Sequence, residues 1–148
     1  MTLLYADTSA LVRAYFSDEP DHGPLRAMLR EGTDPVVTSD LARLELTSAT
    51  YAAARAGRLR RPQNVVARFD ADCRPEGPIA LIELEGRRVF PESQRVLAVH
   101  PLRSLDAIHL AVALVRRPGA GRWDRAGLCQ PRDEAQCAAA QAEGLRLR

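Results

Sequence analysis

Four acidic residues of this chain lie at the boundaries of predicted packed elements. Asp7 follows a short apolar stretch, and Asp106 and Asp133 lie at the start of predicted helices. Glu45 lies among small and apolar side chains on a predicted helix, where an unpartnered charge is costly. If folding gathers these carboxylates, they repel one another unless a divalent cation neutralises them. Oxygen ligands without Cys or His neighbours favour Mg²⁺ or Mn²⁺, and such an ion can activate water for phosphodiester hydrolysis.

Asp7 also has a simpler interpretation, because it directly precedes a helix. Asp, Thr and Ser are favoured at helix N-termini, and Asp7, Thr8 and Ser9 are consecutive at the start of an amphipathic segment. However, the carboxyl end of a strand in an open α/β sheet is also where ligands bind. Both interpretations of Asp7 stay open here. The hydroxyls of Thr8 and Ser9 likewise either cap the helix or orient a carboxylate or phosphate.

Short apolar stretches alternate with amphipathic ones along the chain. This alternation predicts an α/β fold with a mostly parallel sheet covered by helices on both faces. Strands are expected at residues 3–6, 35–38 and 79–84, near 128–129, and at 145–147. Helices are expected from about residue 8 to 17, at 24–30, at 40–56, around 65–69, and at 91–98, 104–115 and 133–143, with Gly144 ending the last one.

The helix predicted over residues 104–115 is apolar nearly all round, which is typical of a buried central helix. Asp106 lies in its first turn, where free amide groups and the helix dipole stabilise a negative charge. His109 follows three residues later and would lie near the same face. A histidine inside an apolar helix is more often packed and hydrogen-bonded than catalytic, so we predict a structural role for it.

The composition predicts a single globular domain over residues 1–148, with a net charge of +2. All of its basic side chains are Arg apart from three His, which is best explained as compositional bias. Without Lys, the chain has no Schiff base, no P-loop lysine and no lysine base. Three scattered cysteines fit reduced thiols. With no signal peptide or membrane-length apolar run, we expect a cytoplasmic protein.

Three blocks of the sequence together resemble the motifs of PIN-domain ribonucleases, and more narrowly of VapC-type toxins from bacterial toxin–antitoxin pairs. The blocks are Asp7-Thr8-Ser9-Ala10-Leu11-Val12, Leu44-Glu45-Leu46 and Leu105-Asp106-Ala107-Ile108-His109-Leu110-Ala111. Their order and spacing fit over essentially the whole chain. The resemblance implies a three-layer α/β/α sandwich and Mg²⁺- or Mn²⁺-dependent cleavage of RNA. It also implies a homodimer that is silenced by a cognate VapB-type antitoxin.

The same resemblance assigns roles to the acids. Asp7, Glu45 and Asp106 fall on the family's acidic triad: Asp7 and Asp106 would hold the metal, and Glu45 would help to bind it or orient the attacking water. Asp133 is the candidate for a fourth acid, which would complete the site or hold a second ion. Asp124 is its rival, because the residues before Asp133 depart from the family pattern. The family usually has Thr or Ser two residues before this acid. Here the preceding residues are Cys129-Gln130-Pro131-Arg132.

Two other hypotheses stay open, and this departure motivates the first of them. One is a catalytically weak PIN domain that binds RNA or its antitoxin without cutting. The other is an unrelated α/β phosphohydrolase with small-molecule substrates, which the missing Lys disfavours. Arginine-rich segments at residues 55–61 and 116–125 are candidates for contacts with RNA phosphates, with Tyr51 or Trp123 available for stacking on bases. A solvated surface is the competing interpretation of both segments.

Overall fold

The structure is a computed structural model that describes residues 2–115, 125–128 and 132–148. Helices and strands alternate along these residues, which confirms the predicted α/β class. In chain order the elements are β1 (Thr2–Tyr5), α1 (Thr8–Tyr15), α2 (His22–Glu31), β2 (Val36–Ser39), α3 (Asp40–Arg55), α4 (Pro62–Asp72), β3 (Ile79–Ile82), α5 (Gly86–Val99), α6 (Ser104–Val115), β4 (Arg125–Leu128), α7 (Glu134–Ala142) and β5 (Arg146–Leu147).

The five strands form one sheet in the order β3-β2-β1-β4-β5, and every neighbouring pair is parallel. The carboxyl ends of all the strands therefore lie at one edge. From the central strand β1 the chain first builds outward through β2 and β3, and then builds the other side with β4 and β5. The strand order reverses between β1 and β4, and such a reversal is where open α/β sheets form a ligand crevice.

Side chains of β1 point alternately into two apolar cores, one on each face of the sheet. Leu4 belongs to the core formed with α1, α2, α3 and α4. Tyr5 belongs to the core formed with α5, α6 and α7. This alternation follows from the two-residue period of a strand. The predicted three-layer α/β/α arrangement is confirmed.

The ends of several elements differ from the sequence prediction. Helix α5 begins at Gly86 rather than near Pro91, and α2 begins at His22 rather than Pro24. Pro91 removes a single backbone donor, and the long packing contact between α5 and α6 outweighs that loss. Strand β4 covers Arg125–Leu128, whereas the predicted strand reached Cys129, which lies outside the described residues.

Helix α7 ends where the sequence predicts, at Gly144. This glycine has φ +78°, a left-handed conformation that side-chain-bearing residues rarely adopt. The turn sends the chain directly into β5, whose Leu147 pairs with Leu128 of β4. At the other end of α7, Asp133 caps the helix by accepting bonds from the amides of Ala135 and Gln136.

Two of the sequence predictions concern the state of the cysteines and the ability of a helix to span a membrane. Cys73 and Cys137 are free thiols, as predicted for these residues, whereas Cys129 lies outside the described part of the chain. Burial raises the pKa of the Cys73 thiol to about 12, so it is protonated at neutral pH. Within the described residues no single helix combines the length and apolar character of a membrane span; only α5 and α6 taken together, as a pair bent by 118°, reach that length and composition.

Candidate active site at the carboxyl edge of the sheet

A cleft of about 310 Å³ opens at the carboxyl edge of the sheet, where the strand order reverses. All four acids singled out in the sequence line it, each carried by a different element: Asp7 after β1, Glu45 on α3, Asp106 on α6 and Asp133 before α7. The remaining lining residues are Thr8, Ser9, Val12, Arg103, His109, Arg132 and Gln136. The parallel topology thus brings together acids that are far apart in the sequence.

Asp7 caps α1 and also lines the cleft. Its Oδ1 accepts bonds from the amide of Ala10 at 2.9 Å and from the hydroxyl of Ser9 at 3.0 Å. The cap does not use Oδ2. Asp7 is only 3% exposed, and this burial raises the pKa of its carboxyl group, although the hydrogen bonds from the Ala10 amide and the Ser9 hydroxyl oppose the shift.

Glu45 is held by a buried chain of hydrogen bonds, which we call the inner wall. Its Oε1 lies 2.7 Å from His109 Nε2, and His109 Nδ1 lies 2.8 Å from the hydroxyl of Tyr5. That hydroxyl lies 2.9 Å from Ser39 Oγ, which accepts a bond from the amide of Ala42. An ionised Glu45 only accepts, so a neutral His109 donates from Nε2, while Nδ1 accepts from Tyr5. Every link then has a consistent direction.

A second group of cleft residues, which we call the outer wall, consists of Asp106, Asp133 and Arg103. Asp106 Oδ2 accepts a bond from Arg103 Nε at 2.9 Å. Asp133 Oδ2 lies 3.8 Å from Nη2 of the same guanidinium. The Arg103 side chain is 80% exposed, so water competes for these contacts. One arginine therefore connects acids from two different helices.

The donor chemistry of this cleft fits a hard divalent cation, because four carboxylates share one small space at the sheet edge. In their present rotamers, however, no three His, Cys, Asp or Glu residues of the described chain converge on one ion position. In these rotamers Glu45 contacts His109, and Asp106 contacts Arg103. The fit to a cation therefore rests on the type and number of the oxygen donors.

Gln136 is a further member of the cleft that sequence analysis did not single out. It is almost completely buried, and its Nε2 has no hydrogen-bond partner among the described residues. A buried amide donor without a partner costs about 1–3 kcal/mol. Gln136 follows Asp133 by three residues, which places both on the same side of the first turn of α7.

Comparison with known proteins places this architecture in a family. The family model of the PIN domain matches residues 4–117, which include three of the four acids. The chain belongs to the PIN domain family. Membership confirms the resemblance noted from the three sequence blocks. It also rules out the unrelated fold that the small-molecule phosphohydrolase hypothesis required.

Solved structures provide an independent comparison of the fold. The Mycobacterium tuberculosis protein VapC20, described as a toxin that cleaves the sarcin-ricin loop, superposes with a TM-score of 0.63. It is 18% identical to this PIN domain, and the match covers 92% of this chain and 94% of that one. Likeness at this level of identity shows a common fold. Among the curated proteins, none is significantly similar in sequence.

The structure confirms that His109 is packed and hydrogen-bonded, and it also places this buried residue in contact with two cleft residues. Besides Glu45, its Nε2 lies 3.2 Å from Thr8 Oγ1. The three-residue spacing from Asp106 was a signal for this placement. A similar signal pointed to Arg103, which precedes Asp106 by three residues.

The predicted RNA-contact segments are only partly described. Within residues 55–61, Arg58 forms ion pairs with Asp18 and Glu19, while Tyr51 nearby on α3 is 43% exposed. In the second segment, Asp124 and Trp123 lie outside the described residues. The choice between Asp133 and Asp124 as the fourth acid therefore stays a prediction, although Asp133 does line the cleft.

Proposed function

We propose that this PIN domain is the toxin of a bacterial type II toxin–antitoxin pair, and that it is an endoribonuclease dependent on Mg²⁺ or Mn²⁺. One observation carries the proposal: four acids from four elements line a single cleft at the ligand-binding edge of the sheet. Family membership and the likeness to a VapC fold support it. VapC20 is itself described as an RNA-cleaving toxin.

In this proposal Asp7, Glu45 and Asp106 hold the ion, and Asp133 completes the site or holds a second ion. When bound, such an ion supplies an activated water and neutralises charge on the scissile phosphate. The contribution of the protein is orientation. Ser9 fixes the rotamer of Asp7 through Oδ1, and Thr8, at the cleft surface, is available to a phosphate oxygen.

His109 has a positioning role in the same proposal. Its bond to Glu45 holds that carboxylate at the cleft while Tyr5 fixes the plane of the ring. Hydrogen bonds of this kind to a metal ligand orient it and tune its basicity. The histidine is therefore expected to affect cleavage without contacting RNA.

The proposed partners are an RNA substrate, a VapB-type antitoxin and a second copy of the chain, in the cytoplasm. These partners rest on the family resemblance and on the likeness to the VapC20 fold. Light scattering of the purified protein tests the homodimer. Co-expression with the product of a neighbouring short gene for a DNA-binding protein tests the antitoxin.

A second candidate function is a PIN domain that binds RNA or its antitoxin without cutting. The observation in its favour is that the cleft carboxylates do not converge as they stand. Incubating the protein with total RNA in Mn²⁺ or Mg²⁺, and then in EDTA, separates the two candidates. The nuclease proposal predicts cleavage that EDTA and Asp7→Asn both abolish. Cleavage that persists under either condition, or no cleavage at all, contradicts it.

Asp106→Asn is the sharpest variant for the same test. It removes charge but almost no volume, so we expect RNA cleavage to fall more than about a hundredfold, beyond the loss typical of residues that only support a metal ligand. Thermal unfolding and growth inhibition on expression complete the measurement. Asp70→Asn is the matched control, because Asp70 pairs with Arg43 outside the cleft. Equal loss of folding and activity would mean that Asp106 is structural.

A further inference from the structure

Arg103 lies just before α6, and its guanidinium contacts both acids of the outer wall. It donates to Asp106 at 2.9 Å and lies 3.8 Å from Asp133. In the part of the chain that the structure describes, Arg132 is the other arginine lining the cleft, and it is paired with Glu19, which is not a cleft residue. Of these two cleft arginines, Arg103 is therefore the one that contacts carboxylates of the cleft.

The contacts of Arg103 occupy carboxylate oxygens of two residues that would hold a divalent ion in the proposed site. A carboxylate oxygen that accepts a hydrogen bond from a guanidinium is less available to a metal. The Arg103 side chain is 80% exposed, so the exchange requires only rotation of a solvated side chain. Once released, the guanidinium stays at the rim of the cleft. Arginine binds phosphate oxygens well through its fork of donors.

We propose that Arg103 exchanges partners during catalysis: it neutralises Asp106 and Asp133 while no ion is bound, and it binds a phosphate of the RNA once the ion has taken those carboxylates. This inference rests on the proposed nuclease function. It adds a substrate-binding residue that also competes with the metal. It predicts that Arg103→Gln strengthens the binding of Mn²⁺ but weakens the binding of RNA. A purely structural role of Arg103 does not predict these opposite effects.

The first measurement is Mn²⁺ binding in the absence of RNA, by titration calorimetry. Arg103→Gln removes the competing cation, so we expect Mn²⁺ to bind about two- to fivefold more tightly, the range set by an exposed ion pair. Arg88→Gln is the matched control. Arg88 also pairs with an acid three residues away, Glu85, but outside the cleft. Unchanged or weaker Mn²⁺ binding by Arg103→Gln overturns the proposal.

The second measurement is the salt dependence of binding to a short single-stranded RNA of mixed sequence, in Ca²⁺ and in EDTA. In Ca²⁺ the released Arg103 contacts a phosphate, so Arg103→Gln should reduce the slope of log K against log[salt] by about 0.7. In EDTA, Arg103 stays with Asp106 and the substitution should leave the slope unchanged. An equal reduction in both buffers shows that Arg103 does not exchange partners.

The design separates failure of this inference from failure of the proposed function. If the wild-type protein binds Mn²⁺ and cleaves RNA but Arg103→Gln behaves like Arg88→Gln, the inference alone is wrong. If the wild-type protein neither binds Mn²⁺ at the cleft nor cleaves RNA, the nuclease proposal fails and the inference fails with it. Asp106→Asn identifies cleft binding, because it removes the shared carboxylate.

Discussion

The two walls of the cleft hold their acids by opposite means. On the inner wall, Glu45 contacts His109, which is 3% exposed and is fixed in turn by Tyr5. On the outer wall, Asp106 contacts Arg103, which is 80% exposed. A buried hydrogen bond is protected from water, and its loss leaves polar groups unsatisfied, whereas an exposed ion pair is easily replaced by solvent.

We infer from this difference that the two walls would contribute to the proposed metal site in different ways. In the proposed metal site, the inner wall fixes one carboxylate before any ion binds, which limits the reorganisation needed on binding. On the outer wall, the exposed guanidinium of Arg103 offsets the negative charges of Asp106 and Asp133. It therefore reduces their mutual repulsion while no ion is bound. Substitutions that affect only one wall test this distinction.

The largest effect on stability is expected from His109→Ala. The substitution opens a cavity and leaves the Tyr5 hydroxyl and Glu45 each without one partner, so the free energy of unfolding should fall by about 2–4 kcal/mol. Urea unfolding measures this change. RNA cleavage per folded molecule should also fall, by about ten- to a hundredfold, because Glu45 loses its orientation.

His100→Ala is the control for that experiment. His100 also bonds a glutamate, with Nε2 2.9 Å from Glu143, but Arg95 contacts the same carboxylate and keeps it paired. Its removal should cost less than about 1 kcal/mol. If His100→Ala lowers the free energy of unfolding as much as His109→Ala does, burial is not what makes the inner wall rigid.

The second prediction concerns Asp7, which lines the same cleft. Because burial raises the pKa of Asp7, its contribution to stability is fully present below the ordinary value of 3.8 and is lost as pH rises through the raised pKa. In EDTA, Asp7→Asn should therefore gain stability relative to wild type as the pH rises from about 4 to about 7. Urea unfolding across this range measures the difference.

Asp18→Asn is expected to show the opposite pH dependence of stability. The bond from Arg58 lowers the pKa of Asp18, so that its contribution to stability is present above 3.8 and is lost as pH falls. The stability of Asp18→Asn relative to wild type should therefore decline as pH rises. A flat or declining difference for Asp7→Asn would mean that burying its charge costs nothing.

The same contrast explains which features the sequence predicted. The acids were predictable because Asp7, Asp106 and Asp133 lie at element ends, and a parallel sheet gathers such ends at one edge. Their partners were harder to predict. The bond between His109 and Glu45 joins helices that pack on opposite faces of the sheet, and no local pattern specifies that the two side chains meet at its edge. The unexpected start of α5 at Gly86 has the same origin, since its packing on α6 outweighs the local effect of Pro91.

A smaller effect is expected at Gln136, whose buried Nε2 has no hydrogen-bond partner among the described residues. Replacing it with Leu removes the unsatisfied donor at similar volume, so the free energy of unfolding should rise by about 1 kcal/mol. Gln141→Leu, at an exposed position of the same helix, should change it little. If Gln136→Leu lowers stability instead, the amide has a favourable role in the folded protein.

The smallest effect is expected from Arg103→Gln, and here a near-zero result is informative. An exposed ion pair contributes little, so the free energy of unfolding in EDTA should change by less than about 0.5 kcal/mol, and high salt should remove even that. Arg43→Gln is the stricter comparison, because Arg43 binds Asp70 through two bonds of 2.8 and 2.9 Å and should lose more. A loss above about 1 kcal/mol at Arg103 would show an outer wall as fixed as the inner one. An arginine held that firmly could not give up its carboxylates to an incoming ion, so the stability measurement also constrains the exchange of partners.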